Sequence, residues 1–160
     1  MVIVLRHAAD IFPETRKLYL ELAEEILSVL PGVAVEEIGS TSIPGALTKG
    51  DVDILVEVLP DDLPGAYAQL EKLYESNEGM EGIPLFASFK GARNGLDFGI
   101  QLSGDRSSFD FPGFREALTA DPDLVEQYNE IKRNAASQGD KNYRKQKNQF
   151  IEQVLSRRAV

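Results

Sequence analysis

The feature that most constrains this chain is a short polar turn followed by two acidic residues at the head of an apolar run. The turn reads Gly39-Ser40-Thr41-Ser42, and the run reads Asp51-Val52-Asp53-Ile54-Leu55-Val56. Side chains two positions apart on a β-strand point to the same face of the sheet. The spacing therefore predicts a strand that presents the carboxylates of Asp51 and Asp53 side by side.

The turn and the carboxylates together have the chemistry of a phosphate and metal site. Gly39 has no side chain to obstruct a sharp turn, and residues 40–42 offer the hydroxyls and backbone N–H groups typical of a phosphate cradle. Two adjacent carboxylates repel each other, so a fold that keeps Asp51 and Asp53 together is predicted to hold a divalent cation between them. Oxygen ligands beside a phosphate cradle indicate Mg²⁺ (or Mn²⁺) and a nucleoside triphosphate.

These motifs resemble the signature of the nucleotidyltransferase superfamily, which has the polymerase-β-like fold. The matching residues are Gly39-Ser40, a spacer of ten residues, and Asp51-Val52-Asp53-Ile54. The superfamily usually carries a third carboxylate between apolar residues of a later strand, and Leu96-Asp97-Phe98 is similar to that pattern. The longer phrase from Gly39 to Gly45, followed by Lys49, resembles the GrpB-like branch of the superfamily.

The resemblance to the GrpB-like branch extends over residues 37–155, with two departures. Many members have an aliphatic residue where this chain has Asp51, and many have a His-x-His strand where it reads Asp97-Phe98-Gly99. This chain therefore has the fuller carboxylate set of a catalytic nucleotidyltransferase, which favours catalysis. The resemblance implies an α/β (α+β) fold in which helices flank a mixed β-sheet and an amphipathic helix ends the chain.

The order of the predicted elements agrees with that fold class. Apolar spacing predicts helices over residues 13–30, 63–74, 114–118, 123–136 and 140–158. Apolar runs predict strands over residues 33–38, 51–58, 84–90 and 96–102, the last two joined by a hairpin that contains Asn94-Gly95. Interleaved strands and helices predict a mixed α/β domain, and we expect residues 1–160 to form a single nucleotidyltransferase-like domain.

Charge and composition restrict the partners. The net charge is −9, and an acidic body would repel the phosphates of a long nucleic acid. The segment from Lys132 onward carries eight Lys or Arg and two acids, so it either docks on the acidic body or meets a small polyphosphate. The chain has no cysteine, and its N-terminal apolar run is too short for a signal peptide or a membrane span. These features predict a cytoplasmic protein without a membrane partner.

Several candidate residues have two interpretations. Ser40 caps a short helix, contacts a phosphate, or does both. Asp97 lies on an otherwise apolar strand, where a buried carboxylate needs a partner, either a metal ion or Arg93. Lys147 lies on the apolar stripe of the last helix, so it either extends past the core to water or reaches the triphosphate. Lys49 has the same two interpretations.

We interpret the chain as a metal-dependent nucleotidyltransferase that moves a nucleoside monophosphate from a nucleoside triphosphate to a small-molecule acceptor. Two alternatives stay open: a module that binds a nucleotide or another phosphorylated ligand without turnover, and an interaction protein with a relict site. The predicted catalytic and metal-binding residues are Asp51, Asp53 and Asp97. The predicted nucleotide-binding residues are Gly39, Ser40, Thr41, Ser42, Lys49 and Lys147.

Overall fold

The computed structural model describes residues 3–78, 83–106 and 110–158. The helices are α1 (Phe12–Val29), α2 (Leu63–Leu70), α3 (Phe111–Ala120), α4 (Pro122–Ala136) and α5 (Asp140–Arg158). The strands are β1 (Arg6–His7), β2 (Ala34–Ile38), β3 (Leu47–Thr48), β4 (Val52–Glu57), β5 (Glu75–Ser76), β6 (Phe86–Arg93) and β7 (Leu96–Ser103).

Five of the strands form one mixed sheet, in the order β2-β4-β7-β6-β5. Strands β4 and β7 run parallel inside this sheet, and its other neighbours are antiparallel. Strands β1 and β3 form a separate antiparallel pair. The β6–β7 hairpin turns at Asn94 and Gly95, with φ of 56° and 77°, the conformation of a two-residue type I′ turn. The hairpin predicted from Asn94-Gly95 is therefore confirmed.

One face of the sheet is wholly apolar at its centre and packs against α1 and α2. Alternate residues of β4 and β7 supply its middle, with Ile54 opposite Ile100 in the strand register. The core on this face contains Leu18, Leu22, Ile26, Val52, Ile54, Val56, Ala66, Leu70, Tyr74, Phe89, Phe98, Ile100 and Leu102. Burial of one such large side chain stabilises the fold by about 1.5–3 kcal/mol, so this core contributes strongly to stability.

Helices α3, α4 and α5 form a second core, which borders the other face of the sheet. Tyr128 of α4 stacks on Phe150 of α5 with ring centroids 5.4 Å apart, and Phe114 of α3 meets Tyr128 edge-on at 5.3 Å. Ile43 and Ala46, from the loop after β2, belong to the same cluster. This cluster ties the three C-terminal helices to the loop that carries the polar turn.

The predicted fold class, a mixed α/β arrangement with helices around a mixed sheet, is confirmed. The predicted and observed elements differ in the shortest strands and in the ends of helices and strands. The helix predicted over residues 63–74 ends at Leu70, and β1, β3 and β5 were not predicted. Those three strands have two residues each, too few to show an alternating pattern. None of the helices within the described ranges combines the length and apolarity needed to cross a bilayer.

Candidate nucleotide-binding site

The polar turn is built around a glycine that cannot be replaced without strain. After β2 ends at Ile38, the chain turns at Gly39 into one 3₁₀ turn over Ser40–Ser42. Gly39 has φ of 78°, a left-handed conformation that residues with a side chain rarely adopt. A Cβ on Gly39 would lie only 2.5 Å from Oδ2 of Asp53. The glycine therefore permits both the turn and the close approach of the Asp53 carboxylate.

The hydroxyl groups of the turn have different roles. Ser42 Oγ donates a hydrogen bond to the carbonyl oxygen of Gly39 at 2.6 Å, and Thr41 Oγ1 donates to the carbonyl oxygen of Asp51 at 3.4 Å. These bonds hold the turn together and fasten it to the start of the strand that carries the aspartates. Ser40, which is buried, is the remaining hydroxyl candidate for a phosphate contact.

Asp53 lies at the meeting point of three strands. Its neighbours in the sheet are Ile38 of β2 on one side and Gly99 of β7 on the other. Because Gly99 has no side chain, the side chains of Asp53 and Gln101 converge above it. A Cβ on Gly99 would lie 3.1 Å from both Asp53 Oδ1 and Gln101 Nε2. The absence of a side chain at Gly99 thus leaves room beside the carboxylate.

Five charged side chains act on one another around Asp53. Burial raises the pKa of Asp53 to about 6; Lys147 opposes this shift, the charge of Asp51 adds to it, and Lys49 and Lys132 oppose it more weakly. Lys49 Nζ also lies 3.7 Å from Asp51 Oδ2. Lys49 and Lys147 therefore place positive charge beside the two aspartates and next to the polar turn, which favours an anionic ligand there.

A cavity of about 140 Å³ opens directly against Asp53, between the sheet and the C-terminal helices. Its polar lining is Asp53, Gln101 and Lys147, and its aromatic lining is Phe111, Phe114 and Tyr128. Pockets for whole drug-sized ligands usually measure about 300–1,000 Å³, so this cavity has room for a fragment of a ligand rather than a complete nucleotide. A larger cavity of about 870 Å³, between the end of α1 and the start of α2, contains none of the predicted site residues.

Helix α4 contributes a lysine that the sequence analysis did not select. Lys132 is 1% exposed, donates a hydrogen bond to the carbonyl oxygen of Leu47, and places Nζ 4.2 Å from the centre of the Tyr128 ring. Burial lowers the pKa of Lys132 well below the usual lysine value, and the charge of Lys147 lowers it further. The signal was available in the sequence, because Lys132 continues the apolar α4 stripe of Val125 and Tyr128, just as Lys147 does on α5.

Comparison with known proteins identifies the family to which this fold and site belong. The family model described as GrpB protein matches residues 7–157. The chain belongs to the GrpB family. A UPF0157 protein of Vibrio cholerae is 36% identical to this GrpB chain over 140 residues, which cover 86% of this chain and 74% of that protein.

Solved structures confirm both the GrpB resemblance and the nucleotidyltransferase-like fold. GrpB from Enterococcus faecalis superposes with a TM-score of 0.76 at 18% identity, over 98% of this chain and 100% of that one. The Cid1 poly(U) polymerase, solved with MgGTP bound, superposes with a TM-score of 0.52 at 17% identity. That match covers 75% of this GrpB chain but only 39% of the polymerase, so the likeness concerns the fold of part of the enzyme.

In this GrpB chain Asp97 is placed differently from the other predicted aspartates. It lies on the same face of β7 as Gly99, two residues nearer the hairpin, opposite Ala92 of β6. Asp97 is exposed and is not among the residues that line the cavity. Arg93, its expected alternative partner, instead donates hydrogen bonds to Glu25. The expectation that Asp97 is buried and needs a partner is therefore wrong.

The remaining question about the site is whether its donors fit a metal ion. Within residues 3–78, 83–106 and 110–158, no three His, Cys, Asp or Glu side chains are grouped so that they could hold one. The three-carboxylate metal site stays a prediction. However, Mg²⁺ that arrives with a nucleotide is usually held by one or two carboxylates, phosphate oxygens and water. The pair Asp51 and Asp53, beside lysines that suit phosphate, fits that mode of binding.

Proposed function

We propose that this GrpB-family protein binds a nucleoside triphosphate together with Mg²⁺ (or Mn²⁺) and transfers the nucleotidyl group to a small-molecule acceptor. The observation that carries the proposal is the convergence of the Gly39 turn, the paired aspartates and three lysines at one end of β4. The fold supports the ligand class, because the Cid1 polymerase that shares it was solved with MgGTP bound.

The residues around the turn would divide the work of binding the triphosphate. Ser40 and the backbone amides of the turn would donate hydrogen bonds to the β- and γ-phosphates, while Lys49 and Lys147 neutralise their charge. Asp51 and Asp53 would hold the ion. Held there, the ion would supply positive charge for the negative charge that develops on the transferring group and on the leaving pyrophosphate.

The acceptor would enter the cavity beside Asp53. A volume of about 140 Å³ suits the reacting end of a small molecule, and the acidic body of the protein opposes a long nucleic acid. The aromatic walls would exclude water from that end, and Gln101 would orient it by hydrogen bonding. An oxygen or nitrogen of the acceptor would bond to the α-phosphorus in line with the leaving group, while the bond from that phosphorus to the bridging oxygen breaks and pyrophosphate departs. The acceptor proton would pass to a general base, the role considered for Asp97.

Asp97 is the part of the proposal that depends on rearrangement. Asp97 could bind a second ion, or it could act as the general base that takes the proton from the acceptor. In either role its carboxylate must approach Asp53. In the structure Asp97 is exposed and Gly99, which has no side chain, lies opposite Asp53 instead. This observation favours a second candidate function, in which the protein binds a magnesium nucleotide without turning it over.

A thermal-shift panel tests the proposal, since a ligand that binds only the folded state raises the melting temperature. Nucleoside triphosphates are compared with and without Mg²⁺, and the matching mono- and diphosphates serve as controls. We expect the largest shift from a triphosphate in the presence of Mg²⁺. No shift with any nucleotide would contradict both candidate functions.

Mass spectrometry then separates the two candidates. The protein is incubated with the triphosphate that gives the largest shift, Mg²⁺ and a mixture of small hydroxyl and amino compounds. An acceptor that gains the mass of a nucleotidyl group, with an equal amount of pyrophosphate, supports transfer. A magnesium-dependent thermal shift without any such product supports the binding module instead.

A further inference from the structure

We infer that Asn129 and Lys132 of α4 are positioning residues, which hold the segment of residues 45–50 and through it set the geometry of the site. This linking segment joins the Gly39 turn to Asp51. The functional part of the inference rests on the proposed binding of a magnesium nucleotide. The structural part, that α4 fixes the segment, stands on contacts that need no ligand.

The contacts are three hydrogen bonds from two side chains one helical turn apart. Asn129 Oδ1 accepts a hydrogen bond from the N–H of Leu47 at 2.8 Å, and Asn129 Nδ2 donates one to the carbonyl oxygen of Gly45 at 3.0 Å. Lys132 Nζ donates to the carbonyl oxygen of Leu47. Both backbone polar groups of Leu47 are thus bound by side chains of α4.

The other side of the linking segment is held by the N-terminal strand. Leu47 lies opposite His7 in the antiparallel β1–β3 pair, and the N–H of Ala8 donates to the carbonyl oxygen of Ala46 at 3.0 Å. Leu47 is buried, so its backbone groups need partners within the protein. The two α4 side chains therefore do for this segment what a neighbouring strand does inside a sheet.

The position of the segment decides where two predicted site residues stand. Lys49 lies within the segment and Asp51 directly follows it, and their charged groups are 3.7 Å apart. The N–H of Gly50 donates to Thr48 Oγ1 at 2.9 Å, which fixes the bend before Asp51. A movement of Leu47 would therefore shift Lys49 and Asp51 relative to Asp53, which is fixed on β4. Binding and transfer both depend on such distances.

Apolar residues would fill the same space if packing alone were required. Asn129 is 4% exposed and Lys132 is 1% exposed, on a helix face otherwise formed by Val125, Tyr128 and Ala135. Burial of an amide and an amine opposes folding unless hydrogen bonds compensate for the lost water. Their hydrogen bonds go to one short loop, which points to the position of that loop as the feature they specify.

Hydrogen exchange tests the structural part. The variants are Asn129→Leu, which removes two of the three bonds at similar volume, and Lys132→Met, which removes the third. The control is Val154→Ala, a core truncation in the same helical cluster without a bond to the segment. We expect amide exchange over residues 45–51 to rise roughly tenfold more in Asn129→Leu than its change in global stability explains, with a smaller rise in Lys132→Met. A uniform rise, as in the control, would overturn the inference.

Calorimetry with MgATP tests the functional part, at a temperature where each variant is folded. We expect Asn129→Leu to bind about tenfold more weakly than the wild type, whereas Val154→Ala changes affinity by less than about threefold. Equal affinities in Asn129→Leu and the wild type, or equal losses in Asn129→Leu and the control, would overturn the positioning role. If the wild type binds no nucleotide, the proposed function has failed, and the exchange measurement alone decides whether α4 fixes the segment.

Discussion

The two faces of the β4–β7 pair are made by alternate residues of the same strands, yet they bury different chemistry. One face carries Ile54 and Ile100 into a wholly apolar core against α1 and α2. The other carries Asp53, Gly99 and Gln101, and a cavity separates them from the C-terminal helices. Strand alternation thus gives one face to the apolar core and leaves the other face available for charged side chains.

The charged residues on this face lower the stability of the folded protein. A half-buried carboxylate with a pKa raised to about 6 lowers the stability of the folded state at neutral pH. A sequence selected for stability alone would place an apolar residue at Asp53, as it does at Ile54. We therefore expect substitutions on the apolar face to change stability and substitutions on the charged face to change ligand binding.

The largest expected effect is on the apolar face. Ile54→Ala removes a fully buried side chain and is expected to lower the free energy of unfolding by about 2–5 kcal/mol, measured by urea denaturation. Leu20→Ala, at an exposed position of α1, is the control and is expected to change it by less than about 0.5 kcal/mol. The folded fraction of Ile54→Ala should still bind MgATP. Loss of that binding would show that the two faces are not separable.

The next effect is on the charged face and has the opposite sign. The pKa of Asp53 is about 6 in the folded protein against an ordinary value of 3.8, so the folded state binds the proton more tightly. Its contribution to stability is therefore present below about pH 4 and is lost as pH rises through 6. Asp53→Asn avoids this loss and is expected to be more stable than the wild type at pH 7, by up to about 3 kcal/mol.

Urea denaturation of Asp53→Asn and the wild type between pH 4 and pH 7 measures this difference. We expect the advantage of the variant to shrink as the pH falls and to vanish near pH 4. Asp97→Asn, at an exposed carboxylate, is the matched control and should change stability little. A variant that is less stable than the wild type at pH 7 would refute the assignment of Asp53 as a carboxylate whose charge opposes folding.

A smaller effect is expected from the lysine that lines the cavity. Lys147→Met keeps the apolar stem and removes the charge, so it should weaken MgATP binding by about 2 kcal/mol, roughly thirtyfold, with a reduced dependence on salt. Lys145→Met changes an exposed residue of the same helix and should have little effect. If both variants weaken binding equally, the helix acts through its general charge and Lys147 is not a site residue.

The smallest expected effect distinguishes the hydroxyl groups of the turn. Ser40→Ala should weaken MgATP binding by about 1–2 kcal/mol without a change in melting temperature, because it removes one hydrogen bond to a charged group. Ser42→Ala is the comparison, because the Ser42 hydroxyl donates to the carbonyl oxygen of Gly39. Loss of this hydroxyl should lower the melting temperature more than it weakens MgATP binding. Normal binding by folded Ser40→Ala, with a lowered melting temperature, would identify Ser40 as a structural cap.

The sequence predicted the sheet well because strands and hairpins depend on local patterns. Alternation in residues 51–58 located β4 to within one residue at each end. The Asn94-Gly95 turn located the β6–β7 hairpin, although β6 extends three residues beyond its predicted end at residue 90. The apolar stripe of the last helix predicted that Lys147 points towards the body of the protein. In the structure, Lys147 lines the cavity beside Asp53. The spacing of apolar residues and the residue types of a turn are properties of short segments, so they can be interpreted without knowledge of the rest of the fold.

The rest of the site depends on contacts between distant segments. Alternation put Asp97 on the right strand but could not show that its end of the strand is exposed. The bonds from Asn129 and Lys132 to Leu47 join residues more than eighty positions apart, and no local pattern encodes such a pairing. The hydroxyl of Thr41 donates to the carbonyl oxygen of Asp51, ten residues away, and this bond depends on the path of the chain between the turn and β4.

We propose that Asp53 is the centre of a metal-dependent triphosphate site. Its most direct test is a calorimetric titration at pH 7 of wild type and Asp53→Asn with the triphosphate that gives the largest thermal shift, with and without Mg²⁺. We expect the wild type to bind only with Mg²⁺, and Asp53→Asn to bind at least about tenfold more weakly, a difference of about 1.4 kcal/mol, although it folds at least as stably. Equal affinity in the two proteins, or binding by the wild type that is indifferent to Mg²⁺, would contradict the claim.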